Sequence, residues 1–342
     1  MGKVPIEALR LRHAGMQPRR THFEWKSENT AGRLQRHEVW RHEYLRQPYL
    51  LGTADEPLAD RFRDIFVNQT ELGNNGLIGL LPVDQTDFMR KFTHLLEEYG
   101  ARGFERPPPE VIEAARAPLR KYFENGPPIA KRIFDGYTAP ESRFLVKYGR
   151  REFLAPMLER GRLRICQASY YNDDSHNAAV RDDEITRTFC FPTWEERLQG
   201  LTHVPVQSHR IPIDDDDVRV ALEMEDYYLL SLCDDVYYRM PTDFDADAAL
   251  IIRDPDRFVQ RVISAFLLAH PGWEPMFGPV NYFDPYHDYD AWKRPEMSKP
   301  FGYAYQREYR IVFRCPRTLT SDLTPEFLEI GPMGDYAELL SA

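Results

Sequence analysis

The stretch FLVKYGRREFLAPMLERGRLRICQASYYND, from Phe144 to Asp173, decides the fold of the C-terminal part of this 342-residue chain. Its first segment, SRFLVKYG, has the apolar content of a buried strand. The segment REFLAPMLERG predicts a helix that ends at Gly161, because glycine readily adopts the left-handed conformation that closes a helix. The segment RLRICQAS predicts a second strand. The stretch is therefore a strand–helix–strand unit.

The rest of the C-terminal half continues this pattern with more strands than helices. We predict strands in YYLLSLCD, DAALIIRD, GPVNYFDP and KPFGYAYQREYRIVF. One clear helix, DPDRFVQRVISAFLLAHPG, has Asp254 as its N-cap and Pro255 in its first turn. Strands without regularly alternating helices favour an α+β fold with largely antiparallel sheets.

The N-terminal part is predicted to be mainly helical, up to a break near DGYTAPES. We place a helical region of unknown role at residues 1–140 and an α+β domain at residues 141–342. The helix in DQTDFMRKFTHLLEEYG would be capped by Asp84 or Thr86, and Pro118 should kink the helix in RPPPEVIEAARAPLRKYF. Further helices are predicted in AGRLQRHEVWRHEYLRQPYLL, EPLADRFRDIFVNQ and NGPPIAKRIFDGY.

Charge and cysteine content narrow the class of protein. The net charge is −10, but residues 1–50 hold ten Lys and Arg against five Asp and Glu, a balance of +5, so the remainder carries about −15. An acidic chain is a poor general nucleic-acid binder, since phosphate contacts require cations. The four cysteines have no CxxC spacing, which favours buried thiols in a reducing cytoplasm. No apolar run approaches the ~20 residues of a membrane-spanning helix.

Common metal and nucleotide motifs are missing from the sequence. His37 and His42 are five residues apart, which is not the spacing of a zinc-protease HExxH helix. The acidic run DDDD (Asp214–Asp217) lacks the spaced ligands and turn glycine of a calcium loop, so we interpret it as an exposed loop. There is no Walker loop, GxGxxG or GxSxG. We therefore expect no metal cofactor.

The segment KPFGYAYQREYRIVF (Lys299–Phe313) combines an aromatic face with a polar one. If it is one strand, alternation places Gln306, Glu308 and Arg310 on the same face. Alternation alone does not distinguish solvated side chains from a functional site. The acidic cluster Asp182–Glu184 is interpreted as the start of a helix.

Two stretches resemble the ADP-ribosyltransferase superfamily. The Phe144–Asp173 unit is similar to its first strand–helix–strand, in which a polar residue ends the strand and a G-x-L follows the helix. The segment Gln306-Arg307-Glu308 resembles the Q-x-E form of its catalytic glutamate signature. Residues 142–338 also look like a widespread family of uncharacterised bacterial proteins with the same fold. The resemblance implies an ADP-ribosyltransferase-like domain with two small antiparallel sheets.

The resemblance also implies a reaction and a set of site residues. NAD would be the substrate, and ADP-ribose would pass to a protein or nucleic-acid acceptor or to water, as in bacterial toxins and phage-defence effectors. A carboxylate stabilises the oxocarbenium-like transition state of such a reaction. Glu308 is the candidate catalytic carboxylate, and Gln306 would orient the acceptor. The candidates for binding NAD are Lys147, Tyr148, Arg150, Ser169, Tyr170, Tyr171, Asn172 and Ser231.

Departures from the family pattern leave alternatives open. Lys147 stands where the superfamily usually carries His or Arg, and LLSLC around Ser231 only partly matches a Ser-Thr-Ser run. A catalytically degenerate module that recruits a protein or nucleic acid is therefore a second hypothesis, and a nuclease is a weaker third. Structural interpretations remain open as well: an exposed Glu308 paired with Arg310, a solvated Lys147 at a strand end, a turn at Ser169–Asn172, and core packing for Tyr303 and Tyr305.

Overall fold

The structure is a computed structural model, and it describes residues 3–29, 34–81, 86–124, 127–173, 175, 181–206, 208–316 and 322–342. The α-helices of these residues are α1 (Ile6–Asn29), α2 (Arg36–Arg46), α3 (Asp55–Gln69), α4 (Thr86–Ala101), α5 (Pro109–Arg116), α6 (Ala130–Ile133), α7 (Arg151–Arg160), α8 (Trp194–Leu198), α9 (Met240–Asp243) and α10 (Pro255–Ala269). Short 3₁₀ helices span Ala117–Tyr122, Ala168–Asn172, Tyr289–Lys293, Pro295–Met297 and Phe301–Gln306.

The strands of the described residues are β1 (Thr70–Leu72), β2 (Ile78–Leu80), β3 (Leu145–Gly149), β4 (Arg162–Gln167), β5 (Thr186–Pro192), β6 (His203–Val206), β7 (His209–Pro212), β8 (Asp217–Glu223), β9 (Tyr227–Cys233), β10 (Ala248–Ile252), β11 (Glu274–Pro279), β12 (Asn281–Phe283), β13 (Ser298–Pro300), β14 (Glu308–Arg314), β15 (Glu326–Glu329) and β16 (Ala337–Ser341). The predicted α+β class with a helical N-terminal region is confirmed.

One large antiparallel sheet organises the C-terminal half, in the order β11-β14-β9-β3-β10-β16. Strand β4 pairs with β9 and with β15. The other described strands form small two-stranded sheets, of which β1–β2, β5–β8 and β6–β7 are antiparallel and β12–β13 is parallel.

The large sheet splits along one edge of β9. Cys233 of β9 pairs with Val146 of β3, whereas Leu229, four residues earlier, pairs with Cys166 of β4. Strands β3 and β4 therefore diverge beside Ser231, which lies between these two pairing points. A split of this kind opens a notch in an otherwise continuous sheet, and polar side chains can enter it.

The core of this half lies between the large sheet and helices α7 and α10. Phe266 of α10 stacks on Phe313 of β14 with ring centroids 3.7 Å apart, and both side chains are fully buried. Helix α7 ends at Gly161, as predicted, with φ of 71°. A Cβ at this position would lie 2.1 Å from the Gly331 carbonyl oxygen, so both the backbone conformation and the close approach require glycine.

The N-terminal helices pack directly on the C-terminal half. Phe301 is buried in the same apolar cluster as residues of α1 to α4. Asn68 of α3 donates Nδ2–H hydrogen bonds to the carbonyls of Phe301 and Gly302. Arg61 of α3 forms a buried bidentate pair with Asp284, at 3.0 and 2.6 Å. The helical region thus holds the 3₁₀ segment that precedes β14.

Most predicted helices and strands are confirmed, with local differences. The kink expected at Pro118 is a change from α-helix to the 3₁₀ helix that begins at Ala117. The strand predicted in GPVNYFDP is only three residues long. Asp84, a predicted cap, lies outside the described residues.

Two predictions about exposure and continuity are wrong. The strand expected over Lys299–Phe313 is interrupted by the Phe301–Gln306 helix and by Arg307, whose φ is 45°, so the long strand begins only at Glu308. The acidic run is not wholly exposed, because Asp216 accepts hydrogen bonds from the Val4 amide and the Arg197 guanidinium and is buried.

The Arg61–Asp284 pair leads to a prediction about stability. Arg61→Ala should lower the free energy of unfolding by about 3–5 kcal/mol, because it leaves the buried Asp284 carboxylate without its partner. Arg63→Ala, on the exposed face of the same helix, should change it by less than about 0.5 kcal/mol. Urea unfolding measures both. Equal losses in the two variants would show that the buried pair has no special importance.

Candidate active site

A cavity of about 200 Å³ opens at the split in the large sheet, between β3, β9 and β14. Its lining combines aromatic rings, two carboxylates, two lysines and a serine hydroxyl. The polar and aromatic lining residues are Lys147, Tyr148, Tyr171, Glu184, Ser231, Phe244, Lys299 and Glu308. Five of the candidates named from the sequence therefore meet here: Lys147, Tyr148, Tyr171, Ser231 and Glu308.

Glu308 lies at the start of β14 and is 6% exposed. Its Oε1 accepts a hydrogen bond from Lys299 Nζ at 2.8 Å. Its Oε2 accepts from Arg310 Nε at 2.8 Å and from Ser231 Oγ at 3.1 Å. The pairing with Arg310 is one that the sequence suggested, but the carboxylate is buried and not exposed. Three donors fix its orientation at the cavity wall.

Lys299 connects the carboxyl groups of the site and is almost fully buried. Besides Glu308, its Nζ donates to Gln306 Oε1 at 3.0 Å. It also lies 3.2 Å from Asp182 Oδ2 and 3.3 Å from Glu184 Oε1. A single ammonium thus contacts the predicted catalytic pair Gln306 and Glu308 and the upstream acidic cluster.

Arg310 links Glu308 to Glu184 from the other side. Its two terminal nitrogens donate to the two oxygens of Glu184 at 2.5 and 2.9 Å, and Arg310 is fully buried. Arg187 donates to Glu184 as well, at 2.6 Å. The network balances: three carboxyl groups, from Asp182, Glu184 and Glu308, face three cations, from Arg187, Lys299 and Arg310.

This network shifts the pKa values of its carboxyl groups in opposite directions. Burial opposes the ionisation of Glu308, but Arg310 and Lys299 outweigh it and lower its pKa to about 2. Burial raises the pKa of Asp182 to about 6, with Lys299 opposing the rise and Glu184 adding to it. At neutral pH Glu308 is therefore a negatively charged and weakly basic group.

Lys147 enters the notch between the diverging strands. Its Nζ donates a hydrogen bond to the carbonyl oxygen of Ser231 at 2.7 Å. This bond satisfies a backbone acceptor at the split of the sheet. The side chain is half-buried and is not a solvated strand end. Burial lowers its pKa, and this effect outweighs the opposing influence of Cys233, Cys166 and Glu308.

The Ala168–Asn172 helix places the other predicted NAD-binding residues in different environments. Tyr171 lines the cavity, while the ring of Tyr170 packs against the Arg164 guanidinium at 4.6 Å. Ser169 donates its hydroxyl to Asp226 at 2.6 Å, outside the cavity lining. Asn172 is exposed.

Other residues singled out from the sequence also lie in surroundings that the sequence did not predict. Arg150, directly after β3, is exposed and pairs with Asp245 at 2.5 Å. The interpretation of Asp182–Glu184 as a helix start is wrong, because these residues precede β5. Of the two aromatic residues expected in the core, Tyr303 packs its ring beside the Lys299 ammonium, at 4.6 Å from Nζ, and Tyr305 lies under Arg239.

Sequence reasoning missed Lys299 and Glu184 as members of the site. In a continuous strand, Lys299 and Glu308 are nine residues apart and would lie on opposite faces. The Phe301–Gln306 helix interrupts the alternation of the strand and directs Lys299 toward Glu308. The only signal in the sequence was the unusual closeness of a Lys, a Gln, a Glu and an Arg within one aromatic segment.

No protein-family model, curated protein or solved structure matches this chain. Within the described part of the chain, no cluster of three or more His, Cys, Asp or Glu side chains has the arrangement of a metal site. No helix among those described is both long enough and apolar enough to span a membrane.

The raised pKa of Asp182 predicts a pH-dependent stability. Its ordinary value is 3.8 and its folded value is about 6, so the folded protein holds this proton more tightly than the unfolded chain. The stability contribution is complete below pH 4 and is lost as the pH rises through 6. Asp182→Asn cannot ionise, so it should raise the free energy of unfolding at pH 7.5 by about 1–3 kcal/mol relative to wild type, with little difference at pH 4.

Asp183→Asn is the matched control, because Asp183 is exposed and, among the described residues, its carboxylate accepts hydrogen bonds from the backbone N–H groups of Ile185 and Thr186, which an amide oxygen also accepts. Urea unfolding at both pH values separates the two variants. Destabilisation by Asp182→Asn at pH 7.5 would show that the attraction of Lys299 outweighs the effect of burial and that the pKa of Asp182 is not raised.

Proposed function

We propose that the protein cleaves the nicotinamide–ribose bond of NAD and transfers ADP-ribose to a macromolecular acceptor or to water. The observation that carries this proposal is the placement of Lys147, Ser231 and Glu308 on three adjacent strands, β3, β9 and β14, around one cavity. These are the strands on which the resemblance to ADP-ribosyltransferases places the corresponding polar residues.

The state of Glu308 suits this chemistry. Loss of nicotinamide leaves positive charge on the ribose, and a fixed, ionised carboxylate stabilises that charge without reorganising. A carboxylate offers about four acceptor positions, of which Lys299, Arg310 and Ser231 occupy three. The remaining position is available for a ribose hydroxyl group at the cavity wall.

The cavity fits part of an NAD molecule. Its volume of about 200 Å³ is below the roughly 300–1,000 Å³ of most ligand pockets, so it would hold only the nicotinamide ring and the adjoining ribose. Tyr171 and Tyr148 supply aromatic surfaces for the ring. The diphosphate and adenosine would lie outside, in the direction of the Ala168–Asn172 helix and of Arg150.

Release of nicotinamide from labelled NAD tests the reaction. Glu308→Gln keeps the shape of the side chain but removes its charge, and we expect the rate to fall by roughly 10²–10³-fold, as for loss of one preorganised electrostatic group. Glu274→Gln, an exposed carboxylate on the neighbouring strand β11, should leave the rate unchanged. Equal background release from wild type and Glu308→Gln would refute an enzymatic role.

A binding module without catalysis remains the second candidate, because both oxygens of Glu308 are already paired with cations. Titration with NAD distinguishes the NAD-cleaving enzyme from the binding module. An enzyme of the proposed class should show a melting temperature that rises with NAD concentration, equivalent to about 2.7 kcal/mol at 100 times Kd. A degenerate module that recruits a macromolecule through other surfaces should show no NAD-dependent rise. Nicotinamide, added alone at the same concentrations, controls for effects of the ring.

A further inference from the structure

The charge of Lys147 has no counterpart in the site. The three carboxyl groups near the cavity are balanced by Arg187, Lys299 and Arg310, and within the described residues Lys147 forms no ion pair. Its Nζ makes a hydrogen bond to an uncharged acceptor, the Ser231 carbonyl, at 2.7 Å. A neutral amine can also make this bond, since both the ammonium and the amine carry N–H donors.

The carboxylates that line the cavity are poor proton acceptors. Both oxygens of Glu308 are paired with cations, and both oxygens of Glu184 accept from Arg310. The low pKa of Glu308, which Arg310 and Lys299 hold below its ordinary value against the opposing effect of burial, agrees with this geometry. No histidine is among the described residues that line the cavity.

The surroundings of Lys147 favour its neutral form. The titratable groups that face it are Cys166 on β4, Cys233 on β9 and Glu308 on β14, and the cavity wall adds Tyr148, Tyr171, Glu184 and Lys299. Burial lowers the pKa of Lys147 by more than Cys233, Cys166 and Glu308 raise it. A lysine in such an environment can lose its proton, whereas an arginine cannot.

We propose that Lys147 is the general base of the site and activates the hydroxyl group of the acceptor, or a water molecule, for attack on the ribose. This inference rests on the proposed NAD-cleaving function and deepens it. It assigns to Lys147 a role in proton transfer, whereas the resemblance implies only that Lys147 binds NAD, and it explains why a lysine stands where His or Arg is usual in that family.

The step balances in atoms and charge. The bond between ribose C1′ and the nicotinamide nitrogen breaks, and its electron pair leaves with neutral nicotinamide. A lone pair of the attacking oxygen forms the new bond to C1′. The proton of that hydroxyl group or water molecule passes to the lone pair of Lys147 Nζ. The resulting ammonium then releases the proton to solvent. Glu308 stays ionised throughout and stabilises the charge on the ribose.

Two variants distinguish a base from a phosphate ligand, with water as the acceptor in an NAD hydrolysis assay. Lys147→Arg keeps the positive charge and a donor for the Ser231 carbonyl, but it cannot accept a proton. We expect kcat to fall by roughly 10²–10⁴-fold with KM for NAD nearly unchanged, and Lys147→Met to show a similar loss of kcat. Retained kcat in Lys147→Arg, with a raised KM in Lys147→Met, would overturn the proposal and assign Lys147 to the diphosphate.

The pH profile supplies a second kinetic readout. Wild-type kcat should rise with pH as Lys147 loses its proton, and this rise should be absent in Lys147→Arg. An identical pH profile in wild type and Lys147→Arg would contradict the proposal.

Amine labelling tests the protonation state of Lys147 in the wild-type protein and does not depend on a reaction with NAD. A brief pulse of acetic anhydride across a pH series, read by mass spectrometry, gives the pH at which each lysine becomes reactive. Lys147 should reach half of its maximal labelling at lower pH than the exposed Lys131, which serves as the internal reference. Half-labelling at the same pH or higher would overturn the proposal. Absence of nicotinamide release from wild type would instead refute the proposed function itself, and the labelling profile would still decide the state of the amine.

Discussion

The buried ammonium of Lys299 is the contact on which the site depends. Ion pairs that leave water lose hydration energy, and attraction compensates only when the charges balance and the hydrogen bonds are well placed. Here Lys299 lies within 3.3 Å of oxygens from Asp182, Glu184, Gln306 and Glu308. These residues come from two segments more than 100 positions apart, so one side chain fixes their relative position. Arg310 completes the network from the opposite side of Glu308 and Glu184.

The split of the large sheet provides the space that this network borders. Because β3 and β4 pair with different ends of β9, no described strand pairs with this edge of β9 at Ser231, and Lys147 enters the gap. The N-terminal helices support the same region from outside, through the bonds from Asn68 to the 3₁₀ segment that links Lys299 to Glu308. The helical region thus belongs to the architecture of the site, although none of its described residues lines the cavity.

The elements of the fold were largely predictable, and the site only in part. Helices α3, α4, α7 and α10 and strands β3, β4, β9 and β10 follow from apolar patterns, because each buries one face or both. Lys147, Tyr171, Ser231 and Glu308 were named from residue type and resemblance, and they line one cavity. Lys299 was missed because a 3₁₀ helix interrupts the expected alternation, and Asp182 and Glu184 were misplaced because an acidic cluster alone does not show what it pairs with.

The sequence by itself determined the main helices and strands, among them α7, α10, β3 and β9, and that Glu308 and Arg310 share a strand face, because both depend on local periodicity. Only the tertiary structure decided that Glu308 is buried, that Lys299 reaches it, and that Lys147 stands apart from the balanced charges. These properties depend on partners distant in sequence. The pKa of a side chain follows from the charges and the burial around it, and no local pattern specifies either.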